Sequence, residues 1–180
     1  IVGRILSSRG IPFTALENSP ERLDAVRRFG NVVHFGDASR PDLLKAAGIE
    51  HARFFVLALG DVEKSLKLAR HVRQHYPKVT ILARARNRLH AYALMDCGVQ
   101  VIIRETLHSS LVMGETLLRD YGLDEQEAAR IVETFAEHDE ETLRRQQAMA
   151  HDMDKLVQTT REAAVELESL IRADRGKDQY

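Results

Sequence analysis

Short apolar runs alternate with stretches of helical periodicity through the first half of the chain, the pattern of repeated strand–helix units around a parallel sheet. Pro12 to Leu16 is the first such run. It gives way to Glu17-Asn18-Ser19-Pro20, where Ser19 is placed to cap a helix and Pro20 to occupy its first position, since a missing amide hydrogen costs nothing there. That helix runs to Phe29 and stops at Gly30. Asn31 to Phe35 reads as the second strand, followed by Gly36-Asp37-Ala38-Ser39. Ser39 with Asp42 three residues on resembles a capping box, and Leu43, Leu44 and Ala47 supply an inward stripe until Gly48. Phe54 to Leu59 is continuously apolar, as expected of a strand buried on both faces. Gly60-Asp61 then turns the chain into a helix carrying Leu66, Ala69 and Val72, which Pro77 breaks. Val79 to Ala83 is a further strand, Arg84 to Arg88 its exit loop, and a helix with Tyr92 and Leu94 runs to Gly98. Val99 to Ile103 is the last strand-like run.

After Arg104 the pattern changes. Thr106 to Tyr121 reads as one amphipathic helix with Leu107, Leu111, Gly114 and Leu118 at helical spacing, ended by Gly122. No strand pattern follows Asp124. Met149, Met153, Leu156, Thr160, Ala163, Leu167 and Leu170 recur in alternating steps of four and three, the seam of a coiled coil or of a helix folded back on its own domain, with Thr160 as a polar interruption. The organisation expected is residues 1–104 as an α/β domain, 105–123 as a separate helix, 124–172 as a helical extension and 173–180 as a polar tail.

Composition narrows the classes. With 180 residues, 44% hydrophobic and 29% charged, the chain can build a core without a disulfide or metal staple. Lys and Arg total 26 against 27 Asp and Glu, so no global basic field supports nucleic-acid binding. The single cysteine, Cys97, excludes an internal disulfide framework and a cysteine-cluster zinc site, and fits a reducing compartment. No apolar run approaches the roughly 20 residues that cross a bilayer.

Three strands end in acids: Leu16-Glu17, Phe35-Gly36-Asp37 and Leu59-Gly60-Asp61. Ligands of open parallel sheets bind outside the carboxyl ends of strands, so these acids are expected to converge on one crevice. Glu17 holds the place at which a dinucleotide fold engages ribose hydroxyls, because a carboxylate accepts both of them. Asp37 and Asp61 are also placed to do no more than cap helices. The glycine-rich turn that cradles phosphate is absent ahead of Glu17, and Ile1 to Arg9 reads as the remainder of the helix such a turn would open. The fold class expected is therefore α/β: a Rossmann-like doubly wound parallel sheet whose first strand and glycine-rich loop are missing, followed by an all-helical extension.

No catalytic set emerges, so the chain reads as a binding module and not an enzyme. Cys97 reads as a small packed residue, His71 and His75 lack a third metal ligand, and no serine stands in a nucleophile elbow. Arg84, Arg86, Arg88 and Arg104 lie at the exits of late strands, where an arginine fork grips carboxylate or phosphate or is simply solvated.

The segments Gly3-Arg4-Ile5-Leu6-Ser7-Ser8-Arg9-Gly10, Glu17-Asn18-Ser19-Pro20, L-D-A-V-R-R-F-G from Leu23 to Gly30, and His34-Phe35-Gly36-Asp37-Ala38-Ser39-Arg40 resemble the cytosolic KTN or RCK (TrkA-N type) domain of the Kef family. These are bacterial glutathione-gated potassium efflux systems. The similarity continues through Ala83-Arg84-Ala85-Arg86 and Arg104-Glu105-Thr106-Leu107. The resemblance implies an adenine nucleotide, AMP or NAD(H), held by Glu17 at the ribose and by the Asp37-Ala38 turn at the adenine, with Asn18, Gly60 and Arg84 lining the same site. It implies reduced glutathione at a homodimer interface formed through the 105–123 helix. Arg4 and Arg104 are then matched to the glutathione carboxylates, and Phe29 to the ring that bulky glutathione adducts displace. Asp139 aligns with a further contact that is usually Asn in the family, and so departs in charge. The parent protein is expected to carry an N-terminal transmembrane transport domain performing potassium–proton antiport. This chain would then be cytoplasmic, attached to the inner membrane, with an ancillary flavin oxidoreductase as a further partner and no nucleic acid. The alternatives left open are a nicotinamide-dependent oxidoreductase fragment and a regulatory subunit of a potassium uptake system.

Overall fold

A computed structural model describes residues 1–21, 23 and 33–175. The order of elements is α1 (Val2–Ser8), β1 (Leu16–Glu17), β2 (His34–Phe35), α2 (Pro41–Ala46), a single 3-10 turn (Ile49–His51), β3 (Phe54–Leu57), α3 (Val62–His75), β4 (Thr80–Ala85), α4 (Arg88–Asp96), β5 (Val101–Arg104), α5 (Leu107–Asp120), α6 (Glu125–Gln147) and α7 (Met153–Arg175). Among the described residues the strands form two sheets, β1-β2 and β3-β4-β5. β1 pairs with β2 and β3 with β4 in parallel: Leu16 opposite His34 and Glu17 opposite Phe35, then Phe54 opposite Thr80 through Leu57 opposite Ala83. Parallel strands joined through helices are the Rossmann-like arrangement. The chain folds as two compact units, Ile1–Ala83 with Cys97–Val101, and Arg84–Asp96 with Ile102–Tyr180.

Several local expectations are corrected. The first strand covers Leu16–Glu17 only, because its ladder with β2 spans two residue pairs. The second begins at His34; Asn31 and Val32 lie outside the described residues, as do the helix end at Phe29 and Gly30. The Ser39–Asp42 capping box does not form. Pro41 opens α2 with Arg40 as the preceding residue, so Ser39 stands one position too early; its amide goes to Asp37, while Asp42 pairs with Arg40. β3 is not buried on both faces: Phe54 is 53% and Val56 49% exposed, with the Arg53 guanidinium over the Phe54 ring, while Leu57 is buried. The exit loop after β4 is shorter than expected, since Arg84 and Ala85 belong to the strand and Arg88 opens α4. The last strand starts at Val101, not Val99.

Within the first unit the core gathers Leu44, Ile49, Leu57, Leu68, Ala69, Val72, Val79, Ile81, Ala83 and Val99. α3 supplies Leu68, Ala69 and Val72 from one face, starts on an Asp61 cap whose Oδ1 accepts from the Lys64 amide, and stops before Pro77. The second unit contains α4, α5, α6 and α7. α6 starts on Asp124, whose Oδ1 accepts from the amides of Gln126 and Glu127. α5, α4 and α7 all pack on α6. The heptad seam is thereby resolved as a helix folded back on its own unit, with Leu156 and Ala163 buried.

Candidate functional site

In the first unit the site is built from strand ends. Glu17 ends β1, and its carbonyl accepts from the Gly36 amide, so the exits of β1 and β2 are tied side by side. Glu17 is half-buried, and its Oε1 accepts from the Ser19 amide at 2.9 Å, which orients the carboxylate at the head of the turn. Asn18 beside it is exposed. Gly36 is buried, and a Cβ there would stand 2.9 Å from Leu43 Cδ1, so any larger residue would make the Leu43 side chain of α2 shift.

Asp37 and Ala38 follow, both half-buried. Asp37 Oδ1 accepts from the Ser39 amide at 2.9 Å. Hydrogen bonds from Ser39 hold the Asp37 carboxyl below its ordinary range, and the nearby charges of Lys64 and Arg40 add to the effect. Lys64 belongs to the first turn of α3, so the exit of β2 and the turn after β3, with exposed Gly60 and Asp61, share one neighbourhood. Chemically this is an acceptor-rich ridge with two cations, Lys64 and Arg40, beside it, which fits vicinal hydroxyls and an exocyclic amine. Arg4, on α1, is exposed; α1 itself has no buried residue. Phe29 lies outside the described residues.

The second unit holds the cationic residues. Arg84 is half-buried and stands 3.7 Å from Glu105. Arg104, at the end of β5, pairs with Asp139 of α6, and Arg88 at the start of α4 pairs with the same carboxylate. Burial acts against the Arg88 charge, yet bonding to Tyr92 and Asp139 leaves its proton held more tightly than usual. Two residues matched separately to a ligand, Arg104 and Asp139, are thus brought into direct contact with each other.

Sequence reasoning missed the partner of this pair. Arg88 lies at a strand exit with three other arginines in the sequence, and its link to Asp139 spans 51 positions, which no local pattern reveals. It also missed Gln146, 1% exposed, whose Oε1 accepts from Tyr92 Oη at 2.9 Å and whose Nε2 donates to the hydroxyls of Thr159 and Thr160. The polar interruption of the seam at Thr160 was its only trace. Among the described residues, no group of His, Cys, Asp and Glu side chains converges to hold a metal ion, and no helix is long and apolar enough to cross a membrane.

Comparison with known proteins adds the following. Residues 1–105 match the TrkA-N domain family and residues 109–179 the potassium efflux system KefB C-terminal domain family. The glutathione-regulated potassium-efflux system protein KefC of Cronobacter sakazakii is 32% identical over 98% of this chain, which spans 28% of that relative's length. The C-terminal domain of Shewanella denitrificans Kef, solved in an AMP-bound form, superposes with a TM-score of 0.75 at 36% identity, over 82% of this chain and 90% of that one. The TrkA-N domain of the inner membrane protein ybaL from Escherichia coli, 22% identical with a TM-score of 0.58 over 64% of this chain and 86% of that one, shares the fold.

Proposed function

Because the chain belongs to the TrkA-N domain family, with a KefB-type C-terminal region after it, we propose that it is the regulatory ligand-binding part of a potassium efflux system, gated by glutathione and holding an adenine nucleotide. The observation that carries the nucleotide is the ridge of Glu17 and Asp37 at tied strand ends, in a chain 36% identical to a Kef domain solved with AMP. In this reading the oriented Glu17 carboxylate accepts the ribose hydroxyls, and the Asp37-Ala38 turn meets the adenine. Asn18 and Gly60 complete the site. The residue types fit: carboxylates only accept hydrogen bonds, and hydroxyls and an amine donate them.

Reduced glutathione, with two carboxylates, is the regulatory ligand; Arg4 and Arg104 are its cationic contacts, and Asp139 stands at the third position of its site. A glutathione adduct differs from glutathione only at sulfur, so the discrimination that shifts a two-state equilibrium must arise there. Phe29 is the ring assigned to that role. The functional unit is a homodimer. α5 supports this reading: Leu107, Leu111, Gly114 and Leu118 face inward half-buried, while Val112, Met113 and Leu117 remain 64%, 65% and 66% exposed and continue to Tyr121. The remaining length of the parent would carry the membrane transport domain, which places this chain on the cytoplasmic side of the inner membrane, open to an ancillary flavin oxidoreductase.

Calorimetric titration of AMP into the 180-residue chain tests the nucleotide site. Glu17→Ala should weaken AMP at least about ten-fold, the loss of about 1.4 kcal/mol, with an unchanged circular dichroism spectrum. Equal affinity of the variant and the parent chain for AMP would remove Glu17 from the site.

A further inference from the structure

One carboxylate holds two guanidinium groups in the second unit. Asp139 gives Oδ1 to Nη1 of Arg88 and Oδ2 to Nη2 of Arg104, and the side chains of Arg104 and Asp139 are 11% and 14% exposed. The two halves of this bridge are unlike. Arg88 donates a hydrogen bond to Asp139 and two more, to Tyr92 Oη and Gln146 Oε1. Nη2 of Arg104 and Oδ2 of Asp139 are fully buried and lie at ion-pair distance, yet out of line for a hydrogen bond, and neither atom has another hydrogen-bond partner. Glu140, the other acid near Arg104, stands 4.0 Å away and is itself tied to Arg144 at 3.2 Å.

A guanidinium binds a carboxylate best through two parallel, aligned hydrogen bonds. Asp139 neutralises Arg104 without supplying that alignment. An incoming carboxylate can supply it, but it meets the Asp139 charge in the same space, and like charges at such a distance oppose each other's ionised forms. Moving Asp139 aside in turn strips a mostly buried carboxylate of its partners, which is costly. Resting on the anion-binding role assigned to Arg104 above, we propose that Asp139 is the residue that sets ligand affinity here: an internal carboxylate occupies the Arg88–Arg104 pair, and a ligand carboxylate binds only by displacing it. A neutral Asn of the same shape would leave the pair open. Ligand binding is then coupled to the hold that α6 has on α4 and β5, since the same carboxylate provides both.

The test compares Asp139→Asn with the parent chain by calorimetric titration of two probes, reduced glutathione and glutarate, a dicarboxylate with neither thiol nor peptide. Each probe is expected to bind the variant at least about ten-fold more tightly than the parent. Equal or weaker binding of glutarate, including none to either protein, overturns the proposal. Tighter glutarate with no glutathione binding to either protein upholds it and removes glutathione as the ligand instead. The double variant Arg88→Gln/Asp139→Asn, which deletes one charge of each sign and frees Arg104 from Asp139, serves if the single variant does not fold. Tighter glutarate binding upholds the proposal there too, and unchanged binding overturns it.

Discussion

His90 shows how a single side chain can serve the chain fold and carry a pH dependence at once. Its amide donates to Asn87 Oδ1 at 2.9 Å, and its Nδ1 accepts from the Arg86 amide at 3.1 Å, a reciprocal cap at the start of α4. Acceptance at Nδ1 puts the ring proton on Nε2 in the neutral form. The ring is 2% exposed, and burial pushes its pKa below the ordinary imidazole value of about 6.5. Between that value and the lowered folded one, the unfolded chain binds a proton that the folded chain refuses, so stability falls as pH falls. His71, pushed down by burial and by His75, adds to the same slope. Thermal unfolding followed from pH 7 to 5, roughly the range in which histidine titrates, should show a shallower loss of Tm in His90→Gln, which keeps an acceptor for Arg86 and cannot titrate. Parallel curves would mean that His90 is not the source. None of this was legible locally: the sequence shows a histidine in a helical pattern, and only packing makes it buried and uncharged.

At the scale of elements, the question left open by the heptad steps is answered by one amide. Gln146, in the last turn of α6, is fully buried and joins Tyr92 and Arg88 of α4 to Thr159 and Thr160 of α7. A buried amide with both ends satisfied fixes which helix packs where, because every other arrangement strands a polar atom. A second clasp lies along the same pair of helices, where Glu166 of α7 meets Arg145 at 3.1 Å and His138 at 3.4 Å, and these partners hold the Glu166 carboxyl below its ordinary range. Gln146→Leu preserves size but leaves the Tyr92 hydroxyl and the Arg88 guanidinium short of an acceptor. The expected cost is about 2 kcal/mol, a fall of roughly 4–8 °C in Tm for a chain of this size, read by calorimetry. A Tm within a degree of the parent, about 0.3 kcal/mol, would show that the apolar seam at Leu156 and Ala163 docks α7 unaided. The spacing of the seam was readable because helical periodicity is local. The choice between a partner and the chain itself was not, because it rests on an amide and two hydroxyls brought together from separate helices.

For the whole molecule, the exposed apolar surface is the feature that calls for a partner. Parallel sheets are ordinarily covered on both faces, yet Phe54 and Val56 of β3 are half exposed, and the outer stripe of α5 from Val112 to Tyr121 is more open still. The homodimer proposed above, formed through α5, would cover the latter. Sedimentation equilibrium of the chain should give a dimer, and Leu117→Asp should give a monomer with the same helical content, since Leu117 is 66% exposed and contributes little to its own fold. A dimer that survives the substitution would move the interface elsewhere.

The strand–helix alternation, the turns at Gly36-Asp37 and Gly60-Asp61, the long C-terminal helices and the placement of acids at strand ends were all determined by the sequence itself. Each depends on periodicity, capping and turn chemistry acting over a few residues. Strand length, the exposure of β3, the failure of the Ser39–Asp42 cap and the shared hold of Arg88 and Arg104 on Asp139 were decided by the tertiary structure. A ladder needs a neighbouring strand, a buried face needs something to cover it, and a charge is satisfied by whichever opposite charge the fold brings within reach. Those partners come from distant parts of the chain, and local sequence carries no record of them.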